Sequence, residues 1–250
     1  MSKKYLKPPI IEALCEFQFG SDSPWDLTMP GLIYDKLRRQ GFVKRQQAKH
    51  FAVNFLQEPE GVQQQVQSID RIKFLRDDER VMVQVGRNLL AINHLAPYSS
   101  WQEFRPCVEI GFNAYREVAE PKAIHRVGVR YINRIEIPGL KGDESIELKD
   151  YFESYPYLSK RLPDFNAFNV QVILPYETGR DIMRLQLAAS DDGPPNTLVA
   201  ILDLDYFLAE PGALGLDKAL QWVDNAHLRV EEVFENSIKE ALREIFQEVR

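Results

Sequence analysis

A chain of 250 residues with 44% hydrophobic and 27% charged side chains is long enough to bury a large core and too apolar to be disordered. The formal net charge is −6, no run of five or more basic residues offers a broad footprint for a phosphate backbone, and two cysteines, Cys15 and Cys107, supply neither a disulfide framework nor a zinc set. No apolar stretch approaches the roughly 20 residues that span a bilayer, and the opening MSKKYLKPPI lacks the apolar segment of a secretory signal, so a cytoplasmic protein with no membrane contact and two buried, unbridged thiols is expected.

The first segment, Pro8 to Phe19, sets Leu14, Glu16 and Gln18 against Cys15, Phe17 and Phe19, the period of two that marks a strand, here entered through a proline pair. Gly20 to Pro24 supplies a turn. Leu27 to Gln40 then carries Leu27, Ile33, Tyr34 and Leu37 at helical spacing and is closed by Gly41. From Phe42 to Leu95 four alternating runs follow, FAVNFL, VQQQVQSIDRIKFL, RVMVQVG and LLAINHL, with Asp77-Asp78 as a hairpin turn between the second and third. Trp101, Phe104, Val108, Phe112 and Tyr115 predict a helix with Ser100 as its N-cap, in which Pro106 marks either the true start or a kink.

The second half repeats the plan. Ile124 to Ile137 reads as a strand ended by Pro138-Gly139, and Leu148 to Leu158 as a shorter helix or helical turn. Three further strands lie in FNAFNVQVILPY, DIMRLQLAA and TLVAILDLDYF. A final helix is expected from about Gly215 to Phe246, because Trp222, Ala226, Val230, Val233, Phe234, Ile238, Ala241, Leu242 and Ile245 recur at three and four spacing. At roughly 1.5 Å per residue it would be on the order of 45 Å long, enough to cross a sheet. The expected class is therefore α+β, with antiparallel sheet and long helices packed on one face, in either a saddle like that of the TATA-binding protein or a helix-grip arrangement. One compact unit built of two pseudo-repeats, 5–120 and 121–250 with the seam near Pro121, competes with a rhythm that arose by chance.

Alternation sorts the central strand into an apolar face (Val127, Val129, Tyr131, Asn133, Ile135, Ile137) and an arginine-rich one (Arg126, Gly128, Arg130, Ile132, Arg134, Glu136). Arg184 and Gln186 share a face of a later strand, as do Asp203 and Asp205, so one common sheet would form a cross-strand ladder of Arg and Asp. Such a ladder is either a solvated outer face or a site in which Arg130, Arg134 and Arg184 receive a carboxylate, a phosphate or a nucleic-acid backbone. The D-x-D pair, Asp203 and Asp205, has no further ligands at metal-binding spacing, and no metal or cofactor is expected. His227 faces the core side of the last helix, either as a hydrogen-bonded structural residue or as a ligand-contacting base oriented by Glu231. His50, His94 and His125 are isolated. Tyr151, Tyr155 and Tyr157, clustered in DYFESYPYLSKR, suit a protein interface. The motifs G-x-S-x-G, H-E-x-x-H, G-x-x-x-x-G-K-[ST], G-x-G-x-x-G and C-x-x-C are absent, which weighs against an enzyme without excluding one whose residues converge only in three dimensions.

Three sets of residues carry a resemblance. They are Pro9, Ile10, Glu12, Ala13, Glu16 and Phe19 in P-I-x-E-A-x-x-E-x-x-F; Arg130, Tyr131, Asn133, Arg134 and Ile135 in R-Y-x-N-R-I; and Trp222, Ala226, His227 and Phe234. Over nearly its whole length the chain resembles a family of uncharacterised, sporadically distributed prokaryotic proteins of about this size. The resemblance implies no activity, cofactor or catalytic residue, and its sporadic distribution implies mobile genes such as those of defence or toxin and immunity loci. The expectation is thus a non-enzymatic binding or accessory protein that recognises a protein partner or, less favoured by charge, a nucleic acid. The alternative is a small-molecule binder or enzyme with Arg130, Arg184, Asp203 and His227 around a pocket between the last helix and the sheet. Homo-oligomers are compatible with either.

Overall fold

The computed structural model describes residues 3–21, 25–58, 61–139, 146–159, 161–163, 165 and 167–249, with the side chains of 48–58 and 61–70 left out. Its frame is one nine-stranded antiparallel sheet in the order β2-β3-β4-β5-β1-β6-β9-β8-β7. In chain order the strands are β1 (Ile10–Phe19), β2 (Lys44–Glu58), β3 (Gly61–Leu75), β4 (Val81–Gly86), β5 (Leu89–Leu95), β6 (Ile124–Pro138), β7 (Asn169–Tyr176), β8 (Asp181–Ser190) and β9 (Thr197–Leu208). Helices α1 (Met29–Arg38), α2 (Trp101–Ala119), α3 (Ala219–Ser237) and α4 (Glu240–Phe246) complete the α+β fold. Among the described residues no helix is long and apolar enough to cross a membrane.

Both halves lay out their strands alike. β1 and β6 pair with each other at the centre, the chain then departs to an edge, and a meander of hairpins returns it so that β5 closes on β1 and β9 on β6. Short hairpin loops make that return inexpensive in chain entropy.

The core follows the period-two alternation of the central strands. Ala13, Cys15, Phe17 and Phe19 of β1 are buried, and their registered neighbours Tyr131, Val129 and Val127 of β6 are buried with them. α2 meets this layer through Phe112, whose ring lies 4.8 Å from that of Phe17, and Tyr115, stacked 4.9 Å from Phe19. Gly111 lets the helix sit close: a Cβ there would stand 3.0 Å from Ile92 of β5 and 3.5 Å from Val83 of β4. α3 meets the same layer of β6 and β9 through His227 on Tyr131 and Trp222 on Tyr206. Each large apolar side chain so buried contributes about 2–3 kcal/mol. Both cysteines are buried and free, as expected.

α2 begins as predicted, with Ser100 Oγ accepting from the Glu103 N–H at 3.3 Å, and Pro106 lies inside it, within the helical run. The short helix or helical turn expected over Leu148 to Leu158 is a single 3-10 turn, Leu148–Asp150. One predicted element differs. The expected single helix to Phe246 is broken between Ser237 and Glu240, because Ile238 leaves the helix to bridge Phe152. There Glu153 N–H donates to Ser237 O and Lys239 N–H to Tyr151 O, both at 2.9 Å, so tertiary bonds replace the helical ones.

Candidate functional site

On the face opposite the buried Val127, Val129 and Tyr131, β6 presents Arg126, Gly128, Arg130, Ile132 and Arg134, flanked by β1 on one side and β9 then β8 on the other. Register sets Arg130 opposite Asp205, Asp205 opposite Arg184, and Leu14 of β1 on the other flank of Arg130. The side chains bond along diagonals. Arg130 takes Asp203 with both arms of its fork, Nε to Oδ1 at 2.7 Å and Nη2 to Oδ2 at 2.5 Å. Asp205 Oδ2 accepts from Arg126 Nη2 and from Arg184 Nη2, each at 2.9 Å. Arg126 also approaches Glu16 at 3.6 Å and lies over the Phe207 ring, 4.5 Å from its centre.

The two aspartates are buried while the arginines that hold them keep a quarter to a third of their side chains open: 26% for Arg126, 33% for Arg130 and 34% for Arg184. Between them is a hollow of about 230 Å³ bounded by Leu14, Glu16, Arg126, Arg130, Arg184 and Asp205. Its floor is Gly128, where a Cβ would press on Arg126 Nη1 at 3.0 Å and Phe207 Cβ at 3.2 Å. Burial pushes the Asp205 carboxyl up, opposed by the charges of Arg126, Arg184 and Arg130, while the bond to Asp203 holds the Arg130 guanidinium firmly charged. Forks pinned by buried carboxylates keep their remaining N–H donors aimed, so an incoming oxyanion meets a site whose side chains need little further ordering.

Of the residues singled out from the sequence, Arg130, Arg184, Asp203 and Asp205 come together. Arg134 does not join them: its guanidinium pairs with Asp192 at 3.0 Å and Glu136 at 3.1 Å. Arg126 occupies that role instead. Alternation had put Arg126 on the right face, and the signal that could have promoted it is Gly128, the gap two residues along over which its side chain lies.

His227 lies on the opposite side of the sheet. Its ring stacks on Trp101 with centroids 4.2 Å apart, Nδ1 is 2.8 Å from Tyr131 Oη, and Nε2 is 3.3 Å from Glu231. Tyr131 Oη in turn meets Tyr98 Oη at 3.2 Å. A neutral ring that donates from Nε2 to Glu231 and accepts at Nδ1 from Tyr131 satisfies the whole chain. Burial pushes His227 down to about 4, against the raising effect of Asp224. His94 Nε2 meets Ser99 Oγ at 3.2 Å nearby.

The tyrosines separate. Tyr151 is half-buried against the core and bonded through its carbonyl to Lys239, whereas Tyr155 and especially Tyr157 are exposed. His50 falls among the side chains left undescribed. Among the described residues no three His, Cys, Asp or Glu side chains are grouped so that they could hold a metal ion. The chain matches no protein-family model, and no curated protein is significantly similar to it.

Proposed function

We propose that the protein is a non-enzymatic binding protein that takes a protein partner on the sheet face turned away from α2 and α3, with the arginine-framed hollow receiving a carboxylate of that partner. The observation that carries this reading is the pinning of Arg126, Arg130 and Arg184 by buried Asp203 and Asp205, with donors left open around a hollow of about 230 Å³. Three guanidinium groups face three carboxylates, Asp203, Asp205 and Glu16, and the whole chain carries a net charge of −6. A single well-placed oxyanion suits that balance better than a long polyanion does, which sets nucleic acid second.

The strand order, with β1 and β6 central and the two meanders alike, supports a saddle of two pseudo-repeats with the helices on one side. The resemblance to a sporadically distributed prokaryotic family supports an accessory or immunity role in a mobile locus. A ligand between the last helix and the sheet has less support, because His227 is buried against Trp101 and Tyr131 and faces away from Arg130, Arg184 and Asp203.

The test is native mass spectrometry of the protein purified from its own host, at low and high salt, for the wild type and for Arg130→Gln/Arg184→Gln. The expected result is a protein partner held by the wild type at low salt and lost from the double variant. A partner held equally by both, or a retained small molecule, overturns the reading; a co-purifying nucleic acid lost on the same substitutions replaces it with the second one.

A further inference from the structure

The sheet has two edges, and they are not alike. β2 enters its edge with Lys44 and Arg45, the kind of charge that discourages pairing with another strand. β7, reading NVQVILPY, carries no charge at all. Val172 and Ile173, on its opposite faces, are 36% and 50% exposed.

Which backbone groups of β7 face outward follows from three independent observations. Ala189 N–H donates to Phe168 O at 3.0 Å, so even-numbered residues of the β7 strand bond inward to β8. On the far side of β8, Ala209 N–H donates to Arg180 O at 2.8 Å, which assigns even-numbered β8 residues to β9 and odd-numbered ones to β7, in agreement. Pro175, which has no N–H, is odd-numbered and so sits where its missing donor would point away from the sheet. The N–H and C=O groups of Asn169, Gln171 and Ile173 therefore point outward and have no strand beside them among the described residues.

We propose that β7 is a dimerisation strand, and that two copies of this chain join their sheets by pairing β7 with β7 antiparallel about a two-fold axis at Val172. In that register Gln171 lies opposite Ile173 of the second copy, and the two exchange both N–H···O bonds. Asn169 lies opposite Pro175, which has only to accept. Val172 meets itself at the axis in a close, non-hydrogen-bonded pair, and Val170 lies opposite Leu174, so the seam is apolar on one face and neutral throughout. A second copy fits because Gln171 and Ile173 satisfy each other's outward groups, the Asn169 N–H finds the Pro175 carbonyl although the Asn169 carbonyl gains no donor there, and no opposed pair sets like charges together. The exposed Phe165 adds apolar surface just before β7 begins, packed edge-on to Phe168 at 5.7 Å.

The experiment is sedimentation velocity of the full chain over a micromolar concentration range, with residue-resolved hydrogen exchange, for the wild type, Gln171→Pro and Val172→Lys. The wild type is expected at twice the monomer mass, and both variants at the monomer mass with unchanged circular dichroism. In the dimer the amides of Gln171 and Ile173 should be protected along with those of Val172 and Leu174. In Val172→Lys only the first two should become fast. A wild type that stays monomeric, a dimer that survives both substitutions, a dimer whose Gln171 and Ile173 amides exchange freely, or a different protein found on β7 each overturns the proposal. None of these substitutions removes a guanidinium from the arginine hollow, so the two readings fail independently.

Discussion

Arg130 and Asp203 are joined by two parallel hydrogen bonds although they are not opposite each other in the sheet: Arg130 is registered with Asp205, and Asp203 with Ile132. The diagonal leaves Asp205 to Arg126 and Arg184, so all three guanidinium groups are held by two buried carboxylates. Removing Asp203 alone, as Leu, takes from the partly open Arg130 its two-armed carboxylate partner, leaving only the more distant charges of Asp205 and Glu12, and should cost about 1–3 kcal/mol in urea unfolding. Asp203→Leu with Arg130→Met should cost less than the single change, because no uncompensated charge remains. A double variant weaker than the single one would contradict this account.

Gly128→Ala is expected to lower stability by about 1 kcal/mol, since the new methyl meets Phe207 Cβ, which cannot move away as the end of the Arg126 side chain can. It should also weaken partner binding by reshaping the floor of the hollow. Urea midpoints and a binding titration of the same variant check both effects.

The buried, neutral His227 makes stability depend on pH in a defined direction. Its folded value, about 4, lies below the ordinary 6.5, so the unfolded chain takes up the proton first. The stability associated with neutral His227 is complete above about pH 6.5 and is lost as pH falls toward 4. Glu231 beside Nε2 favours the charged ring, so at most about 3 kcal/mol is at stake. The difference in unfolding free energy between wild type and His227→Gln, measured from pH 7 to 4.5, should shrink as the pH falls; a constant difference would rule the assignment out.

Tyr131→Phe removes the hydroxyl that bonds His227 Nδ1 and Tyr98 Oη. Both partners are then left short of a bond in a buried place, and a loss of about 1–2 kcal/mol should appear in the thermal midpoint. Tyr98→Phe, at the end of the chain of bonds, should cost less.

Cys15 and Cys107 are 0% and 1% exposed, and burial raises both thiols above their usual range. Neither should react with an aromatic disulfide reagent in the native protein, and both should react at once in denaturant. Fast labelling of either thiol in the native state would contradict their burial.

Much of the fold was legible in alternation. The face assignment of Arg126 to Ile137 is the one observed, with one surprise in degree: Asn133 belongs to the buried face, where its Nδ2 donates to Leu202 O at 3.0 Å. The end of the last helix was not legible. Ile238 continues the apolar period that predicts a helix, yet it pairs with Phe152, a residue far away in sequence that no local pattern connects to it. The ladder was legible as a possibility of chemistry, but its composition was not. Choosing Arg126 over Arg134 required knowing that Asp192, in a loop, would reach Arg134.

The sequence by itself determined what short-range physics controls: the strand and helix periods, the apolar and polar faces, the Ser100 cap and the burial of both thiols. Only the tertiary structure decided which strands became neighbours. That choice put Asp203 and Asp205 beside Arg126, Arg130 and Arg184, sent His227 to the other side of the sheet, and left β7 as a neutral edge. Side-chain alternation is a property of each strand alone, whereas strand order and register are set by the burial of the whole core.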